Sequence, residues 1–97
     1  MTDVFDLPVN YENLSPYVRR KVREQYIREQ QGKCFHCSGK LTEMAVGSDS
    51  KKSIDVSRFP ATFFKHPVHL HHNHKNGMTI GAVHAHCNAV LFQYYGE

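Results

Sequence analysis

The chain lacks an apolar run long enough to cross a membrane. Its opening residues are acidic, with Asp3 and Asp6, and lack the apolar core of a signal peptide. Its cysteines number three, so no closed disulfide framework can use them all. Internal repeats and low-complexity tracts are absent as well. These absences argue against a membrane protein, a disulfide-stapled secreted scaffold and a repeat array. They predict a soluble, cytoplasmic protein whose thiols stay reduced and free to bind metal.

The 97 residues are expected to form one domain, residues 1–97. A chain this short buries a modest share of its surface, and its stability is marginal unless something staples it. Net charge is +3 with histidines neutral. That mild excess suits a polyanionic partner without proving one.

What is present is histidine, unevenly placed. Seven of the eight histidines lie between His66 and His86. Four of them fall within the six residues His69-Leu70-His71-His72-Asn73-His74. They are interleaved with Val68, Leu70, Ile80 and Val83, which have the look of core, so this is no solvated tail. Neighbouring residues on a strand face opposite ways, so His71 and His72 cannot share one face. Placed histidines beside cysteines and an asparagine suggest metal and proton chemistry.

In chain order, residues 1 to 14 read as an extended arm that packs onto the domain. Ser15-Pro16 starts a helix, with Ser15 as cap and proline at the first turn. Val18, Val22, Tyr26 and Ile27 form its narrow apolar stripe, and Gly32 ends it, so the helix is expected over about residues 16 to 31. Arg19, Arg20, Lys21 and Arg23 make its other faces basic, either a solvated surface balanced by Glu24 and Glu29 or a phosphate-binding face. The stretch from Gly47 to Ser53 reads as a polar, mobile loop. Ile54 and Val56 alternate with Asp55 and Ser57, the pattern of a short strand. Phe59, Phe63 and Phe64 are expected to return the chain to the core. Lys65 reads as solvated. Then come a strand from Val68 to His72, a hairpin signal at Asn76-Gly77, a return strand from Thr79 to Val83, and a helix from Ala85 to Tyr94 stopped by Gly96. Gly81 allows a close approach or a bend. The fold class is therefore α+β: a basic helix and arm over 1–31, then a metal knuckle, hairpin and helix over 32–97.

Cys34-Phe35-His36-Cys37-Ser38-Gly39 is a tight turn whose amides point at the sulfurs. A redox pair of this spacing wants a strand–helix context, but this one follows a helix. Half a zinc site is the alternative, and His84 and Cys87 supply the other half at the same spacing. Cys34, Cys37, His84 and Cys87 would make a Cys3His structural set, with zinc as the missing staple. The bland alternative makes Cys87 a buried apolar residue and His84 a core histidine bonded to a carbonyl. His36 and His86 rank lower as ligands because they lie inside the two pairs.

With these residues in view, the segment His69 to Asn88 resembles the HNH, or ββα-metal (His-Me finger), nucleases, most closely the phage endonuclease VII-like branch. His71-His72 stand where that branch has its Asp-His pair, Gly81 where it has a glycine, and Asn88 just after the last cysteine. Cys34 and Cys37 match the upstream zinc pair. The resemblance implies a small zinc-stapled ββα-metal domain and a phage-encoded, metal-dependent DNA endonuclease in the host cytoplasm. His72 would take a proton from water, and His71 and Asn88 would hold one divalent ion. Arg19, Arg20, Arg23, His74 and Lys75 would contact substrate. His69 reads as structural.

Three features depart from the family, one of them conservative: His84 stands in place of a zinc cysteine. His71 replaces an aspartate, as in colicin-type relatives, and a neutral ligand suits manganese, cobalt or nickel better than magnesium. No histidine on the last helix supplies a third ligand; Phe92 stands one turn after Asn88. One site nicks one strand, and cutting both would take a homodimer. Phage DNA-packaging proteins are partners that would use the same nuclease. The competing reading is a non-catalytic zinc module that binds nucleic acid or protein.

Overall fold

Helix α1 begins as its sequence requires. Ser15 Oγ accepts from the Val18 amide at 3.2 Å, and Pro16 occupies the first turn. In the computed structural model, which describes residues 4–96, α1 spans Pro16–Glu29. Gln31 and Gly32 then adopt left-handed backbone angles, and the Gly32 amide bonds back to the Ile27 carbonyl at 2.8 Å. This wrap satisfies carbonyls that the helix end leaves open, and it stops α1 two residues short of the expected 31. Val22 and Tyr26 are the buried apolar residues of the stripe, while Val18 and Ile27 are half-buried.

Strands β1 (Val68–His72) and β2 (Thr79–His84) pair antiparallel as the whole sheet. Their connection is longer than a two-residue hairpin. The Asn73 side chain accepts from the Lys75 and Asn76 amides, and Gly77 supplies the left-handed residue that closes the turn onto Asn73. His72 pairs with Thr79 and His71 with Gly81, leaving Ile80 as the extra residue of a bulge. Helix α2 (Ala85–Tyr95) follows β2 without a break and ends at Gly96 in the left-handed conformation. The order is therefore helix, hairpin, helix: a small α+β fold.

The core lies between α1 and the hairpin. Val22, Tyr26, Leu70, Ala82 and Val83 pack together with Cys34, Leu41 and Cys87. Phe5, Leu7, Val9 and Tyr11 cover it from the arm, as expected. Asp3 lies outside the described residues. The arm is held by backbone: Thr79 N donates to Val9 O, and Tyr11 N donates to Gly77 O. Two glutamines, Gln25 in α1 and Gln30 at its C-terminal cap, act as surrogate strands. Gln25 pairs both the N–H and the C=O of Phe5, and Gln30 pairs both groups of Ala82. With the Phe35 amide also on Ala82 O, the outer edge of β2 is covered.

Three expectations are corrected. Ile54 to Val56 forms no strand; Asp55 instead bonds the Ser57 amide and hydroxyl and starts a 3-10 turn over Val56–Arg58. Residues 47–53 are pinned rather than loose, because Asp49 bonds His36 at 2.7 Å and the Tyr95 hydroxyl at 3.1 Å. Those two donors hold the Asp49 carboxyl below its usual range, His36 first. Phe59, Phe63 and Phe64 miss the core and build a separate cluster with Phe92. No helix among the described residues is long and apolar enough to cross a membrane.

Gly81 permits the close approach. A Cβ there would come within 2.8 Å of Gln30 Oε1 and 3.0 Å of Phe35. Gly81→Ala should therefore lower stability by about 1–3 kcal/mol, through overpacking and a disturbed Gln30–Ala82 pairing. A urea midpoint equal to wild type would show that Gln30 and Phe35 yield without cost.

Candidate metal centre and adjoining cavity

The knuckle turn is a short hairpin in which Cys34 N bonds Gly39 O and Ser38 N bonds Cys34 O. Ser38 takes a left-handed angle there, φ 68°. This geometry aims three amides at sulfur. His36 N and Cys37 N point at Cys34 Sγ, and Gly39 N points at Cys37 Sγ, all at 3.4–3.5 Å. The second half comes from the β2–α2 junction. His84 ends β2, and Cys87 lies in the first turn of α2.

The four ligand atoms of Cys34, Cys37, His84 and Cys87 lie within 4.8 Å of one another. His84 Nδ1 is 3.4 Å from Cys37 Sγ and 3.7 Å from Cys87 Sγ. Edges of about 3.5–3.8 Å are what zinc–ligand bonds of 2.0–2.3 Å give in a tetrahedron. His84 Nε2 meets the Lys40 and Glu43 carbonyls at 2.9 and 2.8 Å. That fixes the proton on Nε2 and leaves Nδ1 as a lone-pair donor toward the sulfurs. The Cys87 thiol beside Cys34 holds Cys34 down at about 4, and the same contact pushes Cys87 up. A divalent ion such as zinc would be held by the thiolates together with His84 Nδ1. The Cys3His group can hold a structural metal, as the spacing suggested. His36 and His86 are turned away to Asp49.

A cavity of about 500 Å³ opens on the other side of α2, around the outer edge of β1. His69, His72, His74 and Asn88 line it, with Arg19 and Arg23 from α1 and Arg58 from the 3-10 turn. No carboxylate is among its lining residues. His69 Nε2 donates to Phe63 O at 2.8 Å, so its Nδ1 carries the lone pair; Asn88 Nδ2 reaches it at 3.1 Å. Burial pushes the pKa of His69 below its usual value. His72 is lowered as well, first by burial and then by His74. Its ring stacks on Tyr11 at 3.9 Å and 8°, and the Arg19 guanidinium lies 3.9 Å over the same Tyr11 ring.

The structure brings most of the expected site residues together, with three exceptions. His71 is buried and lines a different cavity, with Phe35, His36, Ile80, Leu91 and Tyr95, so it does not meet Asn88. Arg20 leans over Tyr17 instead of facing the cavity, and Lys75 sits exposed in the hairpin turn. Tyr11, Arg58 and His69 are cavity residues that sequence reasoning did not assign to a site. His69 carried a signal in its two-residue offset from His71, which places both on one face of β1. Tyr11 and Arg58 carried none. No family model, no curated protein and no solved structure matches the chain.

The purified protein should carry about one zinc per chain, and stripping it with a chelator should unfold the knuckle and loosen α2. Elemental analysis and circular dichroism before and after chelation check this. A folded sample without metal would reduce the Cys3His group to a packing contact.

Proposed function

We propose that the chain is a metal-dependent endonuclease of the ββα-metal type that hydrolyses DNA phosphodiester bonds, one strand at a time. The observation that carries this reading is the juxtaposition of His69 on β1 and Asn88 in the first turn of α2, 3.1 Å apart in an arginine-lined cavity with His72 at its edge. The hairpin-then-helix order and the adjacent Cys3His group fit the same reading.

The roles follow from the atoms available. His69 Nδ1 and the Asn88 side chain would hold the divalent ion, after a half-turn of the amide presents Oδ1. Phe63 O steadies His69 through Nε2, the usual way an imidazole ligand is oriented. His69 thus takes the place expected of His71. When bound, the ion would relieve charge on the scissile phosphate and its departing 3′ oxygen. Both ligands are neutral, so manganese, cobalt or nickel should serve at lower concentration than magnesium. His72 accepts the proton of the attacking water. Its lowered pKa keeps it neutral, and so competent, at neutral pH. Arg23 and Arg58 supply cationic surface for the phosphates. Asn88 sits next to Cys87, so the structural metal indirectly fixes the catalytic pair.

A plasmid-nicking assay across metals tests this. His72→Ala should cost roughly 100- to 10,000-fold in rate, the worth of a general base, while binding to DNA persists. Rate should fall with acidification only below the ordinary histidine pKa of about 6.5, since His72 must be neutral to act. His69→Ala should raise the metal concentration needed, whereas His71→Ala should chiefly cost stability. The reverse pattern would return the ligand role to His71. Nicking unaffected by His72→Ala in a clean preparation would remove the reading.

A further inference from the structure

One face of the cavity is unexplained by phosphate chemistry. Beside the arginines the lining includes a wall of phenyl rings, Phe59, Phe63 and Phe92, with Phe64 packed against the first two. Phe92 is 42 % exposed and Phe64 40 %, although apolar rings on a small soluble chain are normally covered. Phe59 and Phe63 meet tilted by 41° with centroids 4.7 Å apart, and Phe59 and Phe92 meet edge to face at 5.7 Å. The exposed Phe92 and the half-buried Phe59 and Phe63 present aromatic surface to the cavity. Arg58 lies 5.8 Å over the Phe92 ring, so cation and aromatic surface interleave. His74 approaches the same ring at 6.0 Å.

The outside of a DNA duplex offers phosphates and sugars, with the bases stacked away inside. It would satisfy the arginine wall and leave the phenyl wall facing water. A single strand offers both surfaces at once: phosphate for the arginines and an unstacked base for the rings. Cationic grooves with aromatic platforms are how proteins hold single strands without reading sequence. A cavity of about 500 Å³ also falls in the range of sites that enclose a small organic group such as one base.

We propose that the preferred substrate is single-stranded DNA, held with a base stacked on the Phe59–Phe92 wall and its phosphate turned to the arginine wall. This rests on the nuclease reading for the cleavage step but not for the binding step.

The test is fluorescence anisotropy with the zinc-loaded full chain and no added divalent ion. The probe is a labelled 20-mer, alone or annealed to its complement. Wild type should bind the single strand more tightly. Phe59→Leu/Phe92→Leu keeps apolar volume and removes the ring faces. It should lose roughly tenfold or more in single-strand affinity, as removal of a stacking ring does, and change little on duplex. Phe59→Tyr/Phe92→Tyr should restore the affinity. If the leucine pair melts early, Phe92→Leu alone, at an exposed position, makes the same comparison. Equal losses on both forms, no loss, or a duplex preference in wild type would overturn the inference. Single-strand preference without cleavage would leave it standing and remove the nuclease reading. Cleavage without that preference would do the opposite.

Discussion

The Cys3His group is the constraint on which the rest of the structure depends. It gathers two segments that local chemistry would leave apart: the 34–39 turn after α1 and the junction of β2 with α2. The core beneath it is thin. Among the described residues its largest fully buried side chains are Val22, Val83, Val90 and Cys87, with no ring among them. A chain of this size gains little net stability from such a core once ordering entropy is subtracted. A four-coordinate ion contributes several kcal/mol or more in small zinc domains, and one held at this junction would fix the direction in which α2 leaves the sheet. That direction decides which side chain of β1 meets Asn88.

Beyond the metal group, the fold is completed by polar side chains standing in for backbone. A two-stranded sheet with a bare edge is at best marginal and invites pairing with another chain. Here Gln30 and the Phe35 amide close the edge of β2 at Ala82, and the arm closes it at Thr79. The edge of β1 is treated differently. It borders the cavity, and His69 and His72 face arginines and rings rather than a further strand. The two edges thus differ: one is sealed by amides, the other opens onto the cavity.

Much of this was legible from residue types. Ser15-Pro16 marks a helix start in any context, and two-residue spacing in both the cysteine pair and the His84–Cys87 pair brings out the metal group. The hairpin and α2 followed from alternation and from glycines at 77 and 96. What could not be read was long-range choice. Glutamines 25 and 30 look like ordinary helix surface, yet each pairs a backbone segment distant in sequence. Asp49 sits in a run of small polar residues that suggests motion, and only its contacts with His36 and Tyr95 show it pinned. His69 and His71 share a face of β1 and differ by one pleat, about 7 Å. Which of them meets Asn88 depends on how α2 docks, a tertiary matter to which local pattern is blind. The phenylalanines read as core for a similar reason: hydrophobicity gives no sign of which cluster a ring joins.

The stack of Arg19, Tyr11 and His72 has a consequence for the order of assembly. Tyr11 comes from the arm, Arg19 from α1 and His72 from the hairpin, so this column joins residues some sixty positions apart. Contacts that close such long loops form late, after local turns and helices. During synthesis the arm emerges before the hairpin, and the Val9 carbonyl and Tyr11 amide must wait for Thr79 and Gly77 before they pair. Chains interrupted before the hairpin would hold α1 and the knuckle turn but neither wall of the cavity in place. Whatever the cavity does is thus withheld from nascent and partly folded chains and begins only when the last third of the sequence has docked.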